Sequence, residues 1–391
     1  MTTRRYILAG AALVSAAALL AGPALAQDPI KIGLIAPMTG PFASTGRQVE
    51  AAVKLYQQKN GDTVAGRKVQ VILKDDTGTA DVTKRLAQEL IVNDKVAVLA
   101  GFGLTPLALA AAPLATQAKV PEVVMCAATS SITEASPFIV RSGFTLPQVS
   151  SPMADWAAKN GIKKVVTLVS DYGPGIDAEK WFSETFKNAG GSVENLRVPL
   201  RNPDFSPFLQ RAADAKPDAV FIFVPSGVGA QFMKQFAERG LDKSGIKLIG
   251  TGDVTDDDLL NDMGDTALGV VTSFHYSAAH DSPENKAYVA DFKKANNNMR
   301  PNFHSVGAYD GMHLIYEGLK KTNGQGGQAL VDAMKGMSWA SPRGPITIDP
   351  QTREVVQDVF IRKVEKKDGE LYNVEFDAIR QVKDPAKAAK G

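Results

Sequence analysis

Residues 100–133, AGFGLTPLALAAAPLATQAKVPEVVMCAATSSIT, predict a helix between two strands. Residues 96–99 are a short β-branched and apolar run of the kind that parallel sheets bury, and the glycines after them let the chain turn. Thr105 and Pro106 stand where the N-cap and the first residue of a helix belong. Residues 123–125 then predict the second strand. The stretch therefore indicates one unit of a parallel α/β sheet.

The loops after these two strands carry the polar groups of a candidate binding site. Free N–H groups at the start of the helix would attract a carboxylate or another anion. Thr129 and Ser130 follow the second strand, and ligands of open α/β sheets lie at the carboxyl ends of strands. Alternatively, Thr105 only caps its helix and the two later hydroxyls only begin the next turn. Local sequence leaves both interpretations open.

The same alternation extends outward in both directions. Upstream, strands are predicted at residues 30–36 and 69–73, and helices at 47–60 and 82–93. After a Ser- and Pro-rich stretch the pattern restarts, with helices at 153–160, 178–189, 205–215 and 230–239 and strands at 165–169 and 219–224. Two α/β units whose strand ends face each other would enclose a cleft, which is a usual place for a small-molecule site.

The last third of the chain changes character. Helices are predicted at residues 284–296, 306–321 and 328–337. Antiparallel strands are predicted at residues 345–349, 355–364 and 371–376, with a hairpin turn at 366–369. Residues 385–391 are expected to be disordered.

The first 26 residues predict a secretory signal peptide. Arg4 and Arg5 precede an uncharged run, and a small-x-small site ends at Ala26, before Gln27. The two arginines also partly match a twin-arginine signal, so either export route is open. A membrane anchor is the alternative that the short Ala-rich core disfavours. We expect a periplasmic protein that is cleaved after Ala26.

Composition excludes several partner classes. The 391 residues suggest two domains, and 44 basic against 42 acidic residues give a formal charge of +2 that the leader arginines alone supply. A neutral mature chain has no net charge to attract nucleic acid or an anionic membrane. Cys126 is the only cysteine, so no intrachain disulfide can form. We expect a soluble protein.

Catalytic signatures are absent from the sequence. Pro106 stands where a dinucleotide fingerprint needs its third glycine, and Val224 stands where a nucleophile elbow around Ser226 needs a glycine. The four histidines have no metal-ligand spacing and are assigned structural or surface roles. The acidic run 256–258 is expected at a helix N-terminus. We therefore predict no catalytic residues, no metal and no cofactor.

The polar loops are accompanied by apolar and aromatic residues that could surround a ligand. These residues follow predicted strands or lie near the loops, and they are Phe42, Phe102, Tyr172, Pro225 and Phe303. Aromatic residues also fill cores, so a structural role is the alternative for each of them. The composition of the candidate site thus indicates a hydrogen-bonding cradle with apolar walls.

Several phrases together resemble the leucine/isoleucine/valine-binding family of periplasmic receptors for ABC importers. They are the leader, IGLIAPMTGPFASTG at 32–46, residues 101–105, 127–129 and 170–173, and AYDG at 308–311. The resemblance implies a type I periplasmic binding protein, a Venus-flytrap with two doubly wound parallel-sheet lobes joined by three crossover strands. It implies lobe 1 at residues 27–145 plus 275–350 and lobe 2 at 146–274 plus 351–384, with crossovers near 144–147, 272–276 and 348–356.

The same resemblance implies roles for individual residues. In members that bind amino acids, positions matching Thr105, Ala127 and Thr129 hold the ligand carboxylate, and a tyrosine matching Tyr172 closes from the second lobe. The second lobe departs from the family pattern, because Pro225 and Ser226 fall where a tyrosine often helps to hold the amine, and the usual acid falls at or beside Asp253. The departure leaves two ligand classes open.

We expect a small carboxylate as ligand and an inner-membrane ABC permease as partner, with the receptor itself a monomer. An apolar, branched-chain-like amino acid is slightly favoured, and its ammonium group would pair with Asp253. An amine-free aromatic or 2-oxo acid is the alternative if Asp253 does not face the cleft. Rivals from other classes are an exported enzyme and a sensory ligand-binding module.

Overall fold

A computed structural model describes residues 28–388, so the predicted leader lies outside the described residues. The first sheet has six strands in the order β2-β3-β1-β4-β5-β6, and only β2 runs antiparallel to its neighbour. The elements up to its last strand are β1 (Ile30–Ala36), α1 (Ala43–Asn60), β2 (Thr63–Val64), β3 (Arg67–Asp75), α2 (Ala80–Val92), β4 (Val98–Gly101), α3 (Thr105–Ala118), β5 (Glu122–Val124) and β6 (Ile139–Arg141).

The second sheet has nine strands in the order β12-β13-β14-β11-β10-β9-β7-β8, with β15 paired to β14. Strands β7 to β11 are parallel, whereas β12 to β15 pair antiparallel. Its strands are β7 (Lys164–Ser170), β8 (Ser192–Val198), β9 (Ala219–Phe223), β10 (Lys247–Thr251), β11 (Val271–Phe274), β12 (Ser338–Ser341), β13 (Gly344–Ile348), β14 (Val355–Lys367) and β15 (Glu370–Val382).

Helices cover both faces of each sheet, which is why the parallel strands read as continuous apolar runs. α1 and α9 pack together on one face of the first sheet, and α2 and α3 lie on the other. The helices of the second half are α4 (Leu146–Lys159), α5 (Gly173–Asn188), α6 (Ser206–Asp214), α7 (Gly229–Glu238), α8 (Pro283–Ala295), α9 (Phe303–Lys321), α10 (Gly327–Met334) and α11 (Pro385–Ala388). The α/β fold class predicted from sequence is confirmed.

The packing of helix α9 explains the glycines and the acid in and beside the AYDG phrase. A Cβ on Gly307 would lie 2.5 Å from the carbonyl oxygen of Met125, and one on Gly311 would meet the Met125 side chain. Asp310 accepts hydrogen bonds from Trp339 and Ser341 and pairs with buried Arg343 at 2.9 Å. The glycines thus let α9 lie against the end of β5 while its acid holds the chain near β12.

Several elements begin earlier than their apolar periodicity indicates. α1 begins four residues before the predicted start, and α4 begins at Leu146, within the Ser- and Pro-rich stretch and seven residues before the helix predicted at 153–160. The Gln148 side chain accepts the N–H of Thr145, a capping contact that starts α4 directly after β6. Thr105 was predicted as an N-cap but is the first residue of α3, because Leu104 occupies the cap in an extended conformation.

Two features near the C-terminus, the β14–β15 turn and residues 385–388, can be compared with the predictions. The turn between β14 and β15 has positive φ at Asp368 and Gly369, as the predicted hairpin requires. Pro385–Ala388, expected to be disordered, forms a helical turn in which Asp384 accepts the N–H of Ala386. The lobe limits stay a prediction. β12 and β13 fall in the predicted lobe 1, but β12 pairs with β13 and β13 pairs with β14, so both strands belong to the second sheet.

The glycine that ends β4 offers a test of this fold. Gly101 has a φ of 108°, and a Cβ there would lie 2.2 Å from the carbonyl oxygen of Ile35. Gly161 also has a positive φ, 79°, but nothing lies within 4 Å of its Cβ position. We expect Gly101→Ala to cost at least about 2 kcal/mol more unfolding free energy than Gly161→Ala. Urea denaturation measures both, and equal losses would contradict the close approach of β4 to β1.

Candidate functional site

A narrow cleft lies between the carboxyl ends of the two sheets. Its first wall comes from the loops after β1, β4 and β5 and from the start of α9. Its second wall comes from the loops after β7, β9 and β10. Six predicted site residues line it, namely Phe42, Thr105, Ala127, Tyr172, Ser226 and Asp253. The strand-end rule therefore brings both predicted loops of the opening stretch to one place.

Thr105 and Thr129 form a hydroxyl pair on the first wall. Their Oγ1 atoms lie 2.8 Å apart, both side chains are buried, and only Thr105 lines the cleft. Gly173, the first residue of α5, touches this pair, since a Cβ there would lie 2.6 Å from Thr129 Oγ1. Thr129 can therefore orient the hydroxyl of Thr105, and a side chain in place of Gly173 would separate the two walls.

Free backbone donors complete this corner of the cleft. The N–H groups of Leu107 and Ala108 both donate to the carbonyl oxygen of Leu104. Within residues 28–388, the N–H groups of Thr105 and Ala128 have no hydrogen-bond acceptor. Helix N-termini favour negative charge, so the corner has the donors and the dipole of an anion site. We call the hydroxyl pair and these two N–H groups the anion seat.

Ala127 contributes differently from the prediction. Its N–H donates to the carbonyl oxygen of Phe102 at 3.0 Å and is not free for a ligand. Its carbonyl oxygen accepts from buried Arg141, which also donates to the Thr129 carbonyl oxygen at 2.7 Å and pairs with Glu354 at 2.6 Å. Arg141 thus holds the loop by its carbonyl groups and leaves the Ala128 N–H available.

Two predicted aromatic residues do not line the cleft. Phe102 has a φ of 68° and is fully buried in the core between the first sheet, α2 and α3. Phe303 packs edge-on against Phe144 and Phe274 behind the cleft. Sequence cannot distinguish these positions from Phe42, because a core ring and a cleft ring both follow a strand or begin a helix.

The second wall combines aromatic rings with a buried acidic residue, Asp253. The Tyr172 ring stacks on Phe223 with centroids 6.1 Å apart, and Pro225 lies beside them. Asp253 is 5% exposed, and its Oδ2 accepts a hydrogen bond from Thr251 at 2.8 Å. Burial raises the pKa of Asp253 to about 7, although its hydrogen bonds and the charge of Arg362 oppose the shift. Among the described residues, no basic side chain forms an ion pair with it.

A second buried acid links the two walls. Asn302, the N-cap of α9, donates from Nδ2 to both carboxyl oxygens of Asp256 at 2.9 Å, and Ser226 donates to the same group. Burial, followed by repulsion from Asp258, raises the pKa of Asp256 to about 7. Asp258 accepts from Ser44 across the cleft at 2.8 Å. The run 256–258 was predicted at a helix N-terminus and lies in irregular backbone and turns just before a 3-10 helix that begins at Leu260.

His304 is the main cleft residue that sequence analysis missed. It was assigned a structural or surface role, but it lines the cleft near the anion seat. Burial lowers its pKa to about 3, so the imidazole is neutral, and its Nδ1 has no partner within the described chain. The capping sequence that begins with Asn302 could have located the helix start, but not the wall that it faces.

Other kinds of site are not indicated in the described part of the chain. No group of His, Cys, Asp or Glu residues between 28 and 388 is arranged to hold a metal ion. Over the same residues, no helix combines the length and the apolar character that a membrane crossing needs.

Comparisons with known proteins show the family to which the chain belongs. The model of the family described as periplasmic binding protein matches residues 29–370. The Leu/Ile/Val-binding protein homolog 6 of Brucella melitensis is 46% identical over 378 residues, which are 95% of this chain and 97% of that protein.

Two solved structures from Rhodopseudomonas palustris are also similar. A solute-binding protein of an ABC transporter in complex with 3,4-dihydroxybenzoic acid is 66% identical, with a TM-score of 0.90 over 92% of this chain and 99% of that one. Another, in complex with 4-hydroxybenzoate, is 44% identical, with a TM-score of 0.88 over 91% of this chain and 98% of that one.

These findings confirm the family resemblance, the two-lobed fold and the periplasmic location that the family implies. The family consists of transport receptors that work with a permease, and it is not a family of enzymes. The chain therefore belongs to the periplasmic binding protein family, as a solute-binding protein of an ABC transporter.

Proposed function

We propose that the ligand of this receptor is an aromatic carboxylate of the benzoate class. The observation that carries the proposal is the pairing of an anion seat with a cleft of flat apolar walls, including Phe42, Phe144, Tyr172 and Phe223. An aromatic ring buries a large apolar area against such walls, and its carboxylate needs donors at one end only. The relatives solved with hydroxylated benzoic acids support this choice.

An apolar amino acid is the second candidate. Asp253 lies in the cleft wall, where a carboxylate could accept an ammonium group, and the Brucella relative carries the name of a Leu/Ile/Val-binding protein homolog. Burial raises the pKa of Asp253, which disfavours the ionised form that an ammonium group would need as its partner. We therefore favour the amine-free ligand over the amino acid that the sequence slightly favoured.

In this proposal the Thr105 hydroxyl, oriented by Thr129, binds the carboxylate together with the N–H groups of Thr105 and Ala128, while Tyr172 closes over the ring. Contacts across the cleft accompany closure: Arg201 donates to the carbonyl oxygen of Gly78 at 2.7 Å, and Ser130 N–H donates to Asp177 at 2.9 Å. Such contacts stabilise the closed form that a bound ligand selects and a permease can bind.

We further propose that the chain is exported and acts as a monomer. The leader at residues 1–26 would be removed after Ala26. Lobe 1 would comprise residues 27–145 with 275–350, and lobe 2 residues 146–274 with 351–384. Mass spectrometry of the periplasmic protein and light scattering would test the cleavage site and the oligomeric state.

Isothermal titration calorimetry tests the ligand class. We expect micromolar or tighter binding of 4-hydroxybenzoate or 3,4-dihydroxybenzoate at one site, and much weaker binding of leucine, phenylalanine and 4-methyl-2-oxopentanoate. The reason is that only the aromatic acids fill flat walls and need no amine acceptor. Binding of leucine with no response to any benzoate would overturn the proposal, and turnover of a ligand would identify an enzyme instead.

The anion seat is tested by removing one hydroxyl. Thr129→Val leaves the Thr105 hydroxyl without its partner at 2.8 Å, which should weaken binding of any carboxylate about ten-fold or more. Thr129→Ser keeps the hydroxyl and should bind within a few-fold of the wild type. Calorimetry with the best benzoate measures both, and an unchanged affinity in Thr129→Val would exclude this residue from the seat.

Burial of Asp256 between the walls predicts a pH-dependent stability difference. Its pKa rises from 3.8 to about 7, so the folded protein binds the proton more tightly and loses stability as pH increases across that interval. Asparagine does not titrate. The Tm of Asp256→Asn relative to wild type should therefore increase from pH 4 to 7 and level off above. The measurement is a thermal-shift scan of both proteins with saturating ligand at each pH. If the Tm values of the two proteins changed with pH in parallel, closure of the cleft over Asp256 would be contradicted.

A further inference from the structure

The carboxyl group of Asp253 lies in the cleft wall and is held by one neighbouring side chain. Oδ2 accepts the hydroxyl hydrogen bond of Thr251, and among residues 28–388 no other side chain donates to this carboxyl group. Arg362, the cation that influences it, lies behind Gly252 and donates to Thr272 Oγ1 and to the carbonyl oxygen of Tyr276. Asp253 is therefore held in place by Thr251 in the wall of the cleft, and its two carboxyl oxygens have more acceptor sites than this one hydroxyl uses.

Sheet topology separates this acceptor from the anion seat. The seat touches Gly173, which follows β7, whereas Asp253 follows β10, and β9 lies between these two strands. Neighbouring strands lie about 4.8 Å apart, so two spacings separate the loops by about 10 Å. The residues after the intervening strand are apolar, with Phe223 and Pro225 in the wall. The cleft thus has the donors of the anion seat at one end, apolar residues in the middle and the Asp253 acceptor at the other end.

This spacing discriminates between ligand shapes. An α-amino acid carries its ammonium and carboxylate groups on one carbon, so it cannot occupy both ends of the wall at once. A benzoate with a hydroxyl opposite its carboxylate carries an anion at one end of a rigid ring and a donor at the other. Both hydroxylated acids bound by the similar solved proteins have a hydroxyl at that ring position.

We infer that Asp253 recognises the ring hydroxyl opposite the carboxylate by accepting its hydrogen bond, which makes the receptor selective for para-hydroxylated benzoates. The inference rests on the proposed function. A ligand without that hydroxyl leaves the buried acceptor unpaired, and sites built to bind a hydroxyl reject analogues that lack it. Thr251 acts as a positioning residue, since it holds the carboxyl group from the side away from the ligand.

The test compares ligands that differ by one hydroxyl. Calorimetry with 4-hydroxybenzoate, 3-hydroxybenzoate and benzoate should give wild-type selectivity of ten-fold or more for the para isomer over each of the others. In Asp253→Ala the ratio of 4-hydroxybenzoate to benzoate affinity should fall at least ten-fold. Asp253→Asn retains an uncharged acceptor and should give an intermediate ratio, which also serves if the alanine variant does not fold.

Matched variants separate this role from a general effect on the cleft. Thr129→Val acts at the other end of the ligand, so it should weaken the binding of both 4-hydroxybenzoate and benzoate and leave the ratio of their affinities unchanged. Asp332→Ala removes an exposed acid of α10 that pairs with Lys335, and it should change neither affinity.

Two different failures can be distinguished. If the wild type binds benzoates but the Asp253 variants keep its selectivity ratio, the inference is wrong and the proposed function stands. If the wild type binds no aromatic acid, the proposed function and the inference fall together.

Discussion

The buried guanidinium of Arg141 is the contact on which the binding loop depends. It pairs with Glu354, 213 residues further along the chain, and donates to the carbonyl oxygens of Ala127 and Thr129. Because the carbonyl groups turn toward Arg141, the Ala128 N–H stays unpaired at the cleft. Removing one partner of a buried ion pair typically costs about 3–5 kcal/mol. The same group therefore joins distant parts of the chain and orients the donors that a carboxylate would meet.

Two more buried arginines repeat this arrangement where the chain passes between the sheets. Arg343 pairs with Asp310 and donates to the carbonyl oxygens of Ser142 and Gly143, just after β6. Arg362 donates to the carbonyl oxygen of Tyr276, just after β11. A segment that leaves a sheet loses its hydrogen-bond partners on the neighbouring strands, so its buried carbonyl groups need other donors. Arginine, with five donors in a planar fork, supplies several at once without a further backbone segment.

The cleft itself combines charged chemistry with a largely apolar wall. Its acids, Asp253 and Asp256, have pKa values raised to about 7 by burial, and the imidazole of His304 is kept neutral by the same cause. Near pH 7 the two carboxyl groups therefore carry less negative charge than exposed ones would, while the N-terminus of α3 adds a partial positive charge. An anionic ligand with an apolar body suits such a cleft, since its one charge lies where the donors are.

Sequence by itself determined the α/β class, because apolar periodicity and strand-end polarity are local properties, and the resemblance of several phrases to known proteins indicated the family. Thr105, Tyr172 and Asp253, which the sequence predicted to bind the ligand, line the cleft, and their contacts with a ligand stay a prediction. Only the tertiary structure decided that Phe102 is core, that the Ala127 N–H is already used and that His304 faces the ligand space. These outcomes depend on which distant segment lies opposite each residue. The packing between α9, β5 and the second sheet determines which segments lie opposite each other, and no local sequence pattern indicates this packing.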